Sequence, residues 1–134
     1  MNKIISYSLC LILCISSACE KDSRILNKDY PYLLLDEVTE ITTTGVTVNA
    51  EVISTGSYDV VDFGFVLGKN PKPDLTDRMI SLSTYQSSPD KITYRIEDGL
   101  KIYVLYYIRA YVKTGNLVVY SNERSFFSQG SLSP

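Results

Sequence analysis

Residues able to do acid–base, nucleophilic or metal chemistry are few in this chain and unevenly placed. Of its 134 residues three are Cys and none is His. The usual general base at neutral pH is therefore missing. Cys10 and Cys14 lie within the apolar stretch Ile4–Ile15, so Cys19 is the one thiol expected to persist if that stretch is removed. No disulfide, thiol nucleophile or thiolate metal site is then expected, and no cofactor. Acid pairs occur at Asp59 and Asp62 and at Glu97 and Asp98. Glycoside hydrolysis needs two carboxyls roughly 5–10 Å apart across a cleft, and no cleft-forming segment accompanies either pair. Asp74-Leu75-Thr76-Asp77 could offer oxygens to calcium, although the same acids suit an ordinary turn. Catalytic residues and metal ligands are thus both expected to be none. The best candidate for a ligand platform is the alternating row Tyr107, Arg109, Tyr111 and Lys113. Two aromatic rings and two cations on one sheet face could stack on sugars and hold hydroxyls or carboxylates. The same row also suits plain cross-strand pairing on a solvated face.

The first eighteen residues read as an export signal. Met1-Asn2-Lys3 is a positive start, Ile4–Ile15 is mostly apolar, and Ser16-Ser17-Ala18 are small. The apolar run is shorter than the roughly 18–20 residues that span a bilayer. Ser16-Ser17-Ala18-Cys19 resembles a bacterial lipobox, with Ser16 standing where Leu is usual. The resemblance implies cleavage before Cys19 and acylation of that cysteine, so that the protein meets a membrane through its lipid. Cleavage near Ala18 by ordinary signal peptidase, leaving a secreted protein, is the alternative. Glu20-Lys21-Asp22 resembles the charged, acid-containing stretch that directs some lipoproteins to the outer face of the bacterial outer membrane. Residues 19–31 form a tether, of which ten residues reach at most roughly 35 Å. Removal of 1–18 deletes Lys3 and no acid, which takes the formal charge from −2 to −3. With no basic run, nucleic acid is not an expected partner.

The remaining elements must be strands. Apolar residues make up 45% of the chain, with eleven Tyr, four Phe and no Trp. From Tyr32 the pattern alternates with period two and no segment has helical spacing. Leu33-Leu34-Leu35 is the first strand. In the second, Val46, Val48, Ala50 and Val52 face one way and Thr47, Asn49 and Glu51 the other. Tyr58–Leu67, Met79–Tyr85, Ile92–Glu97, Tyr106–Lys113 and Leu117–Phe127 follow. Turn residues separate them at Thr55-Gly56-Ser57, Asn70–Asp74, Ser87–Asp90, Asp98-Gly99 and Thr114-Gly115-Asn116. Strands spaced by about 8–14 residues indicate an antiparallel sandwich.

Gly99-Leu100, then Tyr106 to Tyr111, resembles the E–F corner and F strand of fibronectin type III-like domains. There a Leu precedes by six residues a tyrosine whose hydroxyl bonds back to the corner backbone, which gives Leu100 and Tyr106 a structural role. Phe63–Val66 with Asn70-Pro71 resembles the C strand and its loop, and Tyr120–Glu123 with Ser125-Phe126 the G strand. Ile102 stands where the corner usually has Pro. The parity of Ile92-Tyr94-Ile96 relative to Leu100 predicts a bulge or a longer corner. The expectation is an all-β, antiparallel, seven-strand sandwich over 32–128, followed by a tail over 129–134. The resemblance implies a non-enzymatic, surface-exposed lipoprotein of the outer membrane that acts as an interaction module. The protein partner could be replaced by a glycan in a carbohydrate-binding reading, or by other copies in an adhesin or filament subunit. Fold alone does not choose among these.

Overall fold

The computed structural model describes residues 29–83 and 90–134. The expected signal segment, Cys19, the tether up to residue 28, the end of the Met79–Tyr85 strand and most of the Ser87–Asp90 turn lie outside the described residues. Alternating apolar positions fold into nine strands: β1 (Tyr32–Leu35), β2 (Thr39–Thr42), β3 (Gly45–Ser54), β4 (Val60–Gly68), β5 (Arg78–Ser81), β6 (Lys91–Ile96), β7 (Leu105–Thr114), β8 (Val118–Tyr120) and β9 (Arg124–Phe127). The described residues contain no helix.

The strands form two antiparallel sheets. In one, β3 is central, with β6 on one side and β1 and β2 in succession along the other. In the second the order is β5-β4-β7, and β8 and β9 follow one another along the free side of β7. Period two decides what each strand buries. Val46, Val48, Ala50 and Val52 of β3 and Ile92 and Ile96 of β6 meet Phe63, Phe65 and Leu67 of β4 and Ile108, Ala110 and Val112 of β7 in one buried cluster. Two sheets sharing one apolar interior fit a β-sandwich.

Two differences from the sequence expectation have local causes. β2 carries no sequence signal, because Thr39-Glu40-Ile41-Thr42 has a single apolar residue and is almost wholly exposed. The expected last strand is broken between β8 and β9. At the break the Ser121 N–H donates to Ala110 O at 2.9 Å, and its hydroxyl accepts the Ala110 N–H at 2.9 Å, so a side-chain oxygen replaces a ladder carbonyl. The next residue turns towards the other sheet. Asn122 Oδ1 accepts the Leu35 N–H at 2.8 Å and Asn122 Nδ2 donates to Leu35 O at 3.0 Å. One carboxamide thus satisfies the N–H and C=O of a β1 residue whose backbone groups face away from β3. Arg124 adds an Nε bond to Leu35 O at 3.2 Å and an ion pair with Glu37 at 2.7 Å. The β3–β6 register is unbroken over six pairs, from Val46↔Ile96 to Glu51↔Lys91. The parity change therefore falls in the long corner after β6, not in a bulge within it.

Replacing Asn122 with Ala leaves the Leu35 amide without its side-chain acceptor. Unfolding in urea is expected to show a loss of about 1–3 kcal/mol, while Ser125→Ala, on an exposed site of β9, stays within about 0.5 kcal/mol.

Candidate functional site

Alternation in β7 sends Tyr107, Arg109, Tyr111 and Lys113 to the outer face of the second sheet, but that face is not open. Tyr111 is fully buried. Its cross-strand partner is Gly64, which has no side chain to compete for space. The ring reaches diagonally past Gly64 to Asp62, and its hydroxyl donates to Asp62 Oδ2 at 2.9 Å. The same carboxylate accepts the Ser81 hydroxyl at 2.5 Å and the Phe63 N–H at 2.9 Å through Oδ1. Close packing extends to the backbone: a Cβ on Gly64 would lie 1.8 Å from Ile80 O.

Arg109 is engaged too. Its Nε and Nη2 donate to Pro73 O at 2.9 and 2.5 Å, and its guanidinium carbon lies 4.1 Å from the centre of the Tyr120 ring. Tyr120 OH accepts the Leu75 N–H at 3.1 Å, and the Glu123 carboxylate accepts the Lys72 N–H. These bonds hold the loop 69–77 across the sheet, with Pro73 buried. The expected four-residue platform is therefore corrected. Tyr111 is internal, Arg109 clamps a loop, Tyr107 is half-buried, and Lys113 alone of the four is exposed.

The acidic candidates are also committed to local structure. Asp74 Oδ1 accepts the Thr76 N–H at 2.8 Å and the Thr76 hydroxyl at 2.6 Å, and Asp77 Oδ2 accepts the Asp74 N–H at 3.0 Å. Those Thr76 bonds hold the Asp74 carboxyl below the usual carboxylate range. Asp98 pairs with Arg78 at 2.6 Å and Glu97 lies 3.7 Å from Arg95. Among the described residues no group of three or more His, Cys, Asp or Glu converges as a metal site would require. Tyr106 and Leu100 are both buried, and Tyr106 OH accepts the Lys101 N–H at 3.0 Å. The Tyr106 ring stacks on Phe126 with centroids 5.8 Å apart. Tyr106 thereby ties the segment between β6 and β7 to the start of β7 and to β9.

Two features escaped the sequence reading. Arg95, on the outer face of the first sheet, donates to Glu40 O at 3.1 Å and to the hydroxyls of Thr47 (3.1 Å), Thr42 (2.8 Å) and Thr44 (3.1 Å). One guanidinium thereby pins the polar strand β2, which has little apolar area to hold it. The second feature is the pole of the molecule formed by the β6–β7 corner and the tail. Tyr103 N–H donates to Ser128 O at 2.8 Å, Gly99 N–H to Ser133 O at 2.9 Å, and Leu100 N–H to Ser131 Oγ at 3.0 Å. The tail is thus part of the folded unit. Around it Ile102, Tyr103, Phe127 and Leu132 are between 55% and 83% exposed. Tyr103 is the most exposed of these and has φ +60, a left-handed conformation that is costly for a bulky residue. A mainly apolar cleft of about 490 Å³ beside them is lined by Gly99, Leu100, Lys101, Ile102, Val104 and Pro134. The only sequence signal for this patch is the apolar Ile102-Tyr103 pair within a turn.

Comparison with protein-family profiles, curated proteins and solved structures found no match.

Burial, and then the Asp62 hydrogen bond, push the Tyr111 phenol well above its usual value of 10.0. A phenol held protonated in the folded state stabilises the fold fully below pH 10, and that contribution is lost as pH rises through and beyond 10. Urea midpoints at pH 8 and pH 11 should therefore diverge more for the wild type than for Tyr111→Phe, whose alkaline sensitivity is smaller.

Proposed function

We propose that this chain is a bacterial outer-membrane lipoprotein, lipidated at Cys19, whose fibronectin type III-like domain is a non-enzymatic interaction module at the cell surface. The charged, apolar and small-residue order of Met1–Ala18 before Cys19 supports the anchor. Two or three acyl chains on one cysteine hold stably where a single chain holds only marginally. The sheet order supports the domain type. β4, β7 and β8/β9, the strands whose sequences resemble C, F and G, lie side by side in one sheet, as those strands do in immunoglobulin-type sandwiches. The Tyr106 hydroxyl bond to the Lys101 amide matches the corner that the resemblance implies.

The observation that carries the interaction reading is the corner pole. Scattered apolar residues on a surface are ordinary, whereas Ile102, Tyr103, Phe127 and Leu132 are all exposed on the segments that meet at this corner, and Ile102 lines an apolar cleft there. The backbone there is held by the tail and by Tyr106, so little ordering is needed on binding. A protein partner offering an apolar segment fits this surface, with Lys101 at the cleft edge to receive an acidic group. The glycan reading depended on the Tyr107–Lys113 row, and the enclosure of Tyr111 and Arg109 leaves no observation that favours it.

Two measurements test the proposal. Wild-type protein should incorporate palmitate and fractionate with membranes, and Cys19→Ala should do neither. A photo-crosslinking residue at Tyr103 should capture a protein in intact cells, while the same residue at the exposed Thr93 of β6 captures none. Equal crosslinking at both positions, or none at either, would overturn the assignment of the corner as the interaction surface.

A further inference from the structure

We infer that the opposite pole, where the chain enters the domain, rests on a zwitterionic phospholipid surface. The inference builds on the anchor reading and adds which face meets lipid. Asp29 and Tyr30 are fixed against the loop between β3 and β4. The Ser57 N–H donates to Asp29 O at 3.2 Å, and Gly56, at φ +66, lies so close that a Cβ there would be 2.5 Å from Asp29 O. No side chain fits at Gly56, so the entering segment packs directly on this loop. β1 then starts with Tyr32 opposite Ser54, the last residue of β3.

The same pole gathers the start of β4, the end of β7 and the turn before β8. Val60 pairs with Thr114, Lys113 pairs with Val118, and the Thr114 N–H donates to Leu117 O at 2.9 Å. Four large side chains are exposed here: Tyr30, Tyr58, Val61 and Val118, each between 37% and 56%. Val61 stands at a register shift between Val60 and Asp62, which turns an apolar side chain outward at the strand end. Tyrosine is the residue suited to a lipid–water boundary, with an apolar body and a polar tip.

Tether length makes so small a patch sufficient. Cys19 is ten residues before Asp29, and ten residues reach at most roughly 35 Å. A domain confined to that distance meets the bilayer at a high effective concentration, so contacts too weak to recruit a free protein can orient an attached one. The charge near this pole is almost balanced, with Asp29, Asp59 and Asp90 exposed beside Lys91 and Lys113 and Lys28 adjacent in the sequence. With no basic cluster to draw anionic headgroups, a neutral surface is the one this pole suits. The corner pole lies at the other end of the ten-residue strand β7.

The chain has no Trp, so a single introduced Trp reports its own surroundings. Full-length lipidated Tyr58→Trp and Tyr103→Trp proteins, reconstituted in phosphatidylcholine vesicles with brominated acyl chains, separate the two poles. Indole emission from the Tyr58→Trp protein should be quenched at least two-fold more than emission from the Tyr103→Trp protein. Val118→Trp, on a different strand of the same pole, should behave as Tyr58→Trp does and guards against a misfolded variant. Equal quenching at both poles, or none at positions 58 and 118 in protein that floats with the vesicles, overturns the inference and leaves the anchor standing. Protein that fails to float with the vesicles overturns the anchor and the inference together.

Discussion

The opposition of two apolar sheet faces carries this domain, and β7 is the strand on which that opposition turns. It pairs with β4 along one edge and with β8 and β9 along the other. Every second residue from Tyr106 to Val112 enters the interior. The residues between them close the outer face, where Tyr111 binds Asp62 and Arg109 binds the loop 69–77. A slip of one residue would exchange the two sets, placing a guanidinium in the core and Ile108 against the loop. The register is therefore held from both faces. The two ends of β7 also define the poles: the corner with its exposed Tyr103 at one end, and the Thr114–Leu117 turn at the other.

Where apolar area is short, polar side chains take over the work of strands. The Asn122 carboxamide serves the Leu35 amide and carbonyl as a neighbouring strand would, and it links β1 of one sheet to the β8–β9 break of the other. Arg95 ties β2 to β3 through the Glu40 carbonyl and the Thr42 hydroxyl of β2, the Thr44 hydroxyl of the turn and the Thr47 hydroxyl of β3. The Asn122 bonds sit at a sheet edge, where unpaired backbone groups invite foreign strands. Filling the edge at Leu35 from within the chain opposes open-ended strand exchange, which weighs against a filament assembled through β1.

Legibility in the sequence follows the strength of alternation. β3, β6 and β7 are readable because Val46-Val48-Ala50, Ile92-Tyr94-Ile96 and Tyr106-Ile108-Ala110 alternate with polar residues. β2 is not readable, since a threonine-rich strand pinned by an arginine from β6 has no periodicity of its own. The break at Ser121–Glu123 is hidden because its bonds come from side chains rather than from turn residues. Period two assigns a residue to a face and is silent on whether another segment covers that face. Tyr107, Arg109, Tyr111 and Lys113 do lie on the outer face, and the covering loop 69–77 turns a supposed platform into a clamp. The bond between the Tyr106 hydroxyl and the Lys101 amide joins residues five apart, so it depends on local sequence alone. The corner residues are hidden because Phe127 and Leu132 reach the end that holds Ile102 and Tyr103 only through the pairing of β9 with β7 and the return of the tail.

The two poles divide the proposed function between them. The entry pole, which the proposal gives the tether, has moderately exposed tyrosines, and the corner pole has the more exposed apolar side chains and a strained Tyr103. A rigid body between them suits a module that holds a partner at a set distance from a membrane. That role depends on the fate of Cys19. Mass spectrometry of the N-terminal peptide of protein extracted from its native membrane is the most direct test. The expected chain begins at Cys19 and carries diacylglyceryl and acyl groups; a chain that begins at any other residue, or an unmodified Cys19, would contradict the anchored module.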